Sequence, residues 1–251
     1  MLALFDLDGT LIDRQAALSD AVTVLCRSHG FNALIEQWLR AALADRANPS
    51  NFVRLRTEFG LAEPAEQLWG EYVDLIVGAV TCRPEVREGL RQLRAAAWTI
   101  GIVTNGASDI QRAKLNAVGL ADLVDGIAAS GDVKIRKPAR ELFELAASRC
   151  GCFLADGGWM IGDFTDRRSV RFGAEQGVAV AERSSSRQLD RGRGWMVGDG
   201  VETDVLGGHR AGLNTVWVSH GRTWPRADVA PDLVVDDVVD AAKFLLALDG
   251  Q

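Results

Sequence analysis

Short apolar runs that stop at charged or small polar residues, alternating with segments of helical spacing, most restrict how this chain can fold. Leu2 to Phe5 ends at Asp6-Leu-Asp8-Gly9-Thr10, and Thr99-Ile-Gly-Ile-Val103 ends at Thr104-Asn105-Gly106. A helix is expected from Glu85 to Ala97 and another from Asp109 to Ala117, followed by the strand Gly126-Ile-Ala-Ala129. Arg136-Lys137-Pro138 then places a proline in the first turn of a helix running to about Cys150. A short strand, Leu233 to Val235, and a helix through Leu248 close the pattern. Strands joined by helices of this length pair in parallel, and the site of such a sheet lies at the carboxyl ends of its strands.

From Arg14 to Val80 the rhythm changes to helical spacing alone (Leu18, Val22, Leu25; Leu34, Trp38, Leu39; Leu68, Tyr72, Leu75, Ile76), punctuated by Gly30, Asn48-Pro49 and Pro64. At 251 residues the chain exceeds one average domain. The expected division is an α/β core from 1–13 and 81–251 and an all-helical insert at 14–80. The core contains a repeat, because Gly158-Trp-Met-Ile-Gly-Asp163 recurs as Gly194-Trp-Met-Val-Gly-Asp199 thirty-six residues later. Each copy precedes a possible helix, a glycine (Gly177 or Gly212) and an apolar strand (Val178 to Ala181, or Thr215 to Val218). The pattern reads as a duplicated strand–helix–strand unit near 158–218, or as an insertion that copied its own border. The polar, basic stretch from Ser184 to Gly194 reads as a surface loop.

A net charge of −6 argues against a general nucleic-acid or anionic-membrane binder. No apolar run reaches the roughly 18 residues of a membrane span. Acidic Asp6 so near the start does not fit a signal peptide, and Cys26, Cys82, Cys150 and Cys152 lack the spacing of a zinc site. A reduced, cytoplasmic chain is expected. His29, His209 and His220 show no ligand spacing, and there is no Gly-x-Ser-x-Gly elbow for a serine hydrolase. The tryptophans Trp38, Trp69, Trp98, Trp159, Trp195 and Trp217 read as packing residues, whereas Trp224 before Pro225 could meet a substrate.

Asp6-Leu-Asp8-Gly9-Thr10, Thr104-Asn105-Gly106, Lys137-Pro138 and Gly198-Asp199 with Asp204 resemble the four ordered motifs of the haloacid-dehalogenase-like hydrolase superfamily. The likeness covers nearly the whole chain, and the 14–80 insert resembles the family's cap of the first type. It implies a Rossmann-like parallel sheet flanked by helices, with an inserted all-helical cap domain. The implied activity is hydrolysis of a small phosphate monoester through an aspartyl-phosphate, with Mg²⁺ as cofactor. Alternatives are a haloacid dehalogenase, a phosphomutase, or a silent binding protein of the same fold. Dehalogenases of the family generally lack the second aspartate of the first motif, so Asp8 favours phosphate chemistry.

The resemblance makes Asp6 the nucleophile and Asp8 the group that protonates the leaving oxygen and then activates water. Thr104 offers a hydroxyl and Lys137 a point charge to phosphate oxygens, with Asn105 joining them. Lys134 is a nearby alternative cation with nothing in its placement to recommend it. Several aspartates at one point call for a hard cation, and the family's ligands would be the Asp6 carboxylate, the Asp8 carbonyl and a fourth-motif aspartate. Two candidates compete for that last position. Asp199 is followed by Asp204 at the family's spacing but lies 62 residues after Lys137. Asp163 lies at the expected distance, 26 residues, but has Arg168 where the acid should be, with Asp166 the nearest carboxylate. The complete second copy is favoured, with Asp163 as the alternative. The expected partner is a small phosphorylated metabolite (a sugar, glycolate-type or nucleotide phosphate), with no nucleic acid or membrane, on a monomer or homodimer.

Overall fold

The strand β1 (Leu2–Phe5) is fully buried along its length, which a four-residue run achieves only with strands on both sides and helices on both faces. A computed structural model describes residues 1–44, 47–155, 158–161, 187–188 and 194–248. In it, β1 pairs in parallel with β2 (Thr99–Thr104) on one side. On the other it pairs in parallel with β7 (Gly194–Gly198). The remaining strands of this sheet are β3 (Gly126–Ala129), β8 (Asn214–Val218) and β9 (Leu233–Val235). The order is β3-β2-β1-β7-β8-β9, all neighbours parallel.

Alternation along the strands builds two cores. Ala3, Phe5, Ile100, Ile102, Val197 and Val216 face one side. Val86, Leu90 and Leu93 of α5 (Pro84–Ala95) and Ala241 and Leu245 of α10 (Val238–Leu248) belong to the same cluster. Leu2, Leu4, Val103, Ala128 and Met196 face the other side, against Leu142, Phe143, Ala146 and Ala147 of α8 (Arg140–Arg149). The sheet is therefore a filled three-layer core, and only the strand ends remain for chemistry. The shorter helices α6 (Ser108–Ala117), α7 (Ser130–Val133) and α9 (Gly207–Arg210) line that end region or return the chain from it. α8 starts at Arg140, two residues past the first-turn position expected for Pro138, because Ala139 is still extended.

The segment after β1 forms four helices, α1 (Arg14–His29), α2 (Ala33–Leu43), α3 (Pro49–Phe59) and α4 (Ala65–Ala79). Side chains satisfy the starts of the first three. Asp13 accepts from Ala16 N, Asn32 from Leu34 N and Ile35 N, and Asn48 from Ser50 N. Gly30, at φ 65°, ends α1 in a conformation few other residues adopt. Leu25, Leu39, Leu43, Phe52, Leu55 and Leu68 are fully buried between these helices, and Phe52 packs on Trp69 and Tyr72 at 5.6 and 5.5 Å. α4 in turn touches α6 of the core.

The two copies of the repeated hexapeptide occupy different sheets. The second is β7, at the centre of the parallel sheet. The first, β5 (Gly158–Ile161), lies antiparallel between β4 (Cys152–Ala155) and β6 (Arg187–Gln188) in a separate three-stranded sheet. The helix and strand expected after the first copy, with Asp163, Asp166 and Arg168, lie outside the described residues, as does nearly all of the expected 184–194 loop. Trp98, Trp195 and Trp217 are buried, and Trp38 and Trp69 pack partly buried against the core. All four cysteines are free thiols. Among the described residues no helix is long and apolar enough to cross a membrane.

Phe143 is fully buried, and α9 approaches it so closely that a Cβ on Gly207 would lie 2.6 Å from its ring. The Phe143→Ala variant should lose about 3–5 kcal/mol of unfolding free energy, measured by urea denaturation.

Candidate active site

The parallel register carries the ends of β1, β2 and β7 to one edge, so residues just beyond those strands meet there. Asp6 follows β1 directly, and its N–H still donates to Val197 O of β7 at 2.9 Å. The chain then turns sharply: Leu7 O accepts from Leu11 N at 3.0 Å and Ile12 N at 3.1 Å. Gly9 sits at φ 87°, and a Cβ there would come within 3.2 Å of both Asp199 carboxylate oxygens. Glycine is thus required twice over, by the backbone angle and by the neighbouring carboxylate.

Lys137 Nζ lies in the middle of the edge. It is 2.6 Å from Asp6 Oδ1 and 2.7 Å from Asp204 Oδ1, and all three residues are buried. Asn105 holds this lysine by its backbone: its Oδ1 accepts from Lys137 N at 2.9 Å and its Nδ2 donates to Lys137 O at 3.3 Å. The Asn105 side chain thus ties the loop after β2 to the main chain of the lysine. Lys134, the rival cation, is exposed.

Asp199 and Asp204 follow β7. Asp204 lies in a π-helical turn, Val201–Leu206, and its Oδ2 accepts from Gly200 N at 2.8 Å. Carboxylate oxygens of Asp6, Asp199 and Asp204 all fall within 4.8 Å of one another. Burial pushes the Asp6 carboxyl up to about 8, the Lys137 charge opposing and the Asp204 and Asp199 charges adding to the rise. Asp199 is also raised, by burial and by Asp204, with Arg222 opposing. Burial works against the Lys137 charge, but Asp204 and Asp6 outweigh it and raise that group. Three carboxylates held this close, two of them buried and Asp199 partly exposed, with oxygen donors only, suit a hard divalent cation.

Thr104, at the end of β2, is 1% exposed, and its Oγ1 accepts from Gln111 Nε2 at 2.6 Å. Asp8 meets a residue that sequence reasoning missed, Lys114, whose Nζ lies 2.7 Å from Asp8 Oδ1. Gln111 was missed as well, and both belong to the buried face of α6 alongside Ile110 and Leu115. The available signal was a lysine and a glutamine inside an otherwise apolar helical stripe. Arg222 is a third omission: Nη2 donates to Asp199 O at 3.0 Å and lies 3.3 Å from Asp199 Oδ2. Trp217 Nε1 donates to the same carbonyl at 3.0 Å. Trp224 packs on the edge of Trp217 and donates to Val229 O, so its ring is a support for that loop.

Comparison with known proteins gives a consistent picture. The family model described as haloacid dehalogenase-like hydrolase matches residues 1–166, and a HAD-hydrolase-like model matches residues 175–241. A pyrimidine 5'-nucleotidase of Escherichia coli is 30% identical over 58% of this chain and 49% of its own length. A phosphoserine phosphatase of Thermus thermophilus is 30% identical over 62% of this chain and 47% of its own. The chain thus spans about half the length of these curated relatives. Haloacid dehalogenases match as well. Among solved structures, the magnesium-bound HAD-hydrolase YfnB from Bacillus subtilis superposes with a TM-score of 0.63 at 19% identity, covering 97% of each chain.

A Cβ on Gly198 would lie 2.3 Å from Asp204 Oδ2 and 2.6 Å from Asp204 Cβ. Gly198→Ala should therefore destabilise the protein by about 1–3 kcal/mol in urea denaturation. Gly70→Ala, on an exposed position of α4 with nothing within 4 Å, should instead stabilise it by about 1 kcal/mol.

Proposed function

The chain belongs to the haloacid dehalogenase-like hydrolase family, and from that premise we propose that it is a Mg²⁺-dependent phosphatase acting on a small phosphorylated metabolite. One observation carries the reading: a buried carboxylate, Asp6, at the end of the central strand, with an ammonium 2.6 Å away and two further carboxylates beside it. Displacement at phosphorus needs positioning and charge neutralisation above all. Asp6 attacks the phosphorus in line, releasing the substrate alcohol and leaving a phosphoryl group on its own carboxylate. Asp8, two residues further along the turn, gives its proton to the departing oxygen. It then takes one from the water that cleaves the acyl-phosphate.

Lys137 Nζ and Thr104 Oγ1 receive the phosphate oxygens, and Asn105 keeps Lys137 in place through its backbone. The Asp6 and Asp199 carboxylates and the Asp8 carbonyl would hold the ion, with Asp204 supporting it. Mg²⁺, when bound, offsets the negative charge of phosphate and carboxylates. The dehalogenase alternative fits less well. Halide departs without a proton and needs no cation, which would leave Asp8 no leaving group to protonate and Asp199 no ion to hold. The relatives whose names end in phosphatase or nucleotidase support the same choice.

The test is hydrolysis of p-nitrophenyl phosphate. Turnover should require Mg²⁺, stop with EDTA and vanish in Asp6→Asn. No Mg²⁺-dependent turnover across a broad phosphate panel, or turnover of 2-haloacids instead, would sink the reading. A second comparison concerns the repeat. Because the second copy pairs with β1, Asp199→Asn should reduce turnover more than Asp163→Asn, and the reverse order would hand the metal to the first copy.

A further inference from the structure

Two buried side chains of α6 have no part in the reaction as described above. Lys114 is 4% exposed and Gln111 is 2% exposed, and their side chains bond to Asp8 and Thr104. Both converge on Asp8. Lys114 Nζ lies 2.7 Å from Asp8 Oδ1, and Gln111 Nε2 donates to Asp8 Oδ2 at 2.8 Å. The same amide nitrogen is 2.6 Å from Thr104 Oγ1. Burying an ammonium is unfavourable unless a carboxylate accompanies it, so the placement of Lys114 is explained by the partner it meets.

Asp8 lies in the turn after β1, outside the sheet, its backbone in an isolated bridge with Ile12. Two donors from successive turns of one helix, each on a different oxygen, leave the carboxyl one orientation. Each oxygen has a second lone pair, so the grip does not exhaust the carboxyl's capacity. Gln111 also couples that orientation to Thr104, the hydroxyl assigned to phosphate.

We propose that Lys114 and Gln111 are positioning residues that aim Asp8 at the leaving oxygen and tie its aim to the phosphate seat at Thr104. The inference rests on the phosphatase reading, with Asp8 as the proton donor. The experiment compares kcat/KM for phenyl phosphate and p-nitrophenyl phosphate, since this quantity covers every step up to departure of the leaving group. Nitrophenolate departs with little help, whereas phenolate needs the proton.

In Lys114→Met, kcat/KM should fall about 10²-fold for phenyl phosphate and change little for p-nitrophenyl phosphate. Gln111→Leu keeps the ion pair and should show the same bias to a smaller degree. It carries the test if circular dichroism shows Lys114→Met unfolded. Equal losses on both substrates would overturn the proposal, because a merely structural role weakens both alike. A wild-type protein that turned over neither substrate would instead remove the phosphatase reading itself, a result distinct from equal losses in an active variant.

Discussion

One ammonium group holds the active edge together. Lys137 Nζ lies between two buried carboxylates that belong to opposite ends of the chain, Asp6 after the first strand and Asp204 after the seventh. Without a cation there, Asp6, Asp199 and Asp204 would repel one another in a region from which water is largely excluded. The surroundings serve this constraint. Asn105 fixes the lysine's backbone, Gly198 leaves room for Asp204, and Gly9 leaves room for Asp199. In a protein of net charge −6 this buried lysine is the counter-charge that lets carboxylates from β1 and β7 share one edge.

Much of this was legible in the residues. The strands ending at Asp6, Thr104 and Asp199 lie side by side as the alternating pattern requires, since a buried parallel strand is readable as an apolar run that stops at polar residues. The four helices between Arg14 and Ala79 follow from apolar spacing and from caps such as Asp13 and Asn32. The start of α8 lies two residues past the expected one, because Ala139 keeps an extended backbone that an alanine in a sequence does not announce.

The partners of Asp8 were not legible. Lys114 lies 106 positions from Asp8, and Gln111 lies 103 from it. Periodicity shows that a polar residue sits on a buried stripe but does not show what it meets across the sheet edge. Asn105 illustrates the same limit. Its place after a strand is readable, but its pair of hydrogen bonds to the Lys137 backbone, 32 positions away, is not. Arg222 reaches Asp199 from the loop after β8, again a contact made only when parallel strands bring their ends together.

The two near-identical hexapeptides bear on what a short peptide can specify. Gly158 to Asp163 and Gly194 to Asp199 differ only at Ile161 and Val197, both β-branched. Yet Gly158–Ile161 forms the middle of an antiparallel trio, while Gly194–Gly198 is clamped in parallel between β1 and β8. Strand direction and sheet membership are therefore not properties of the four residues Gly-Trp-Met-Ile or Gly-Trp-Met-Val by themselves. The same letters make a strand twice in this chain, with two different sets of neighbours.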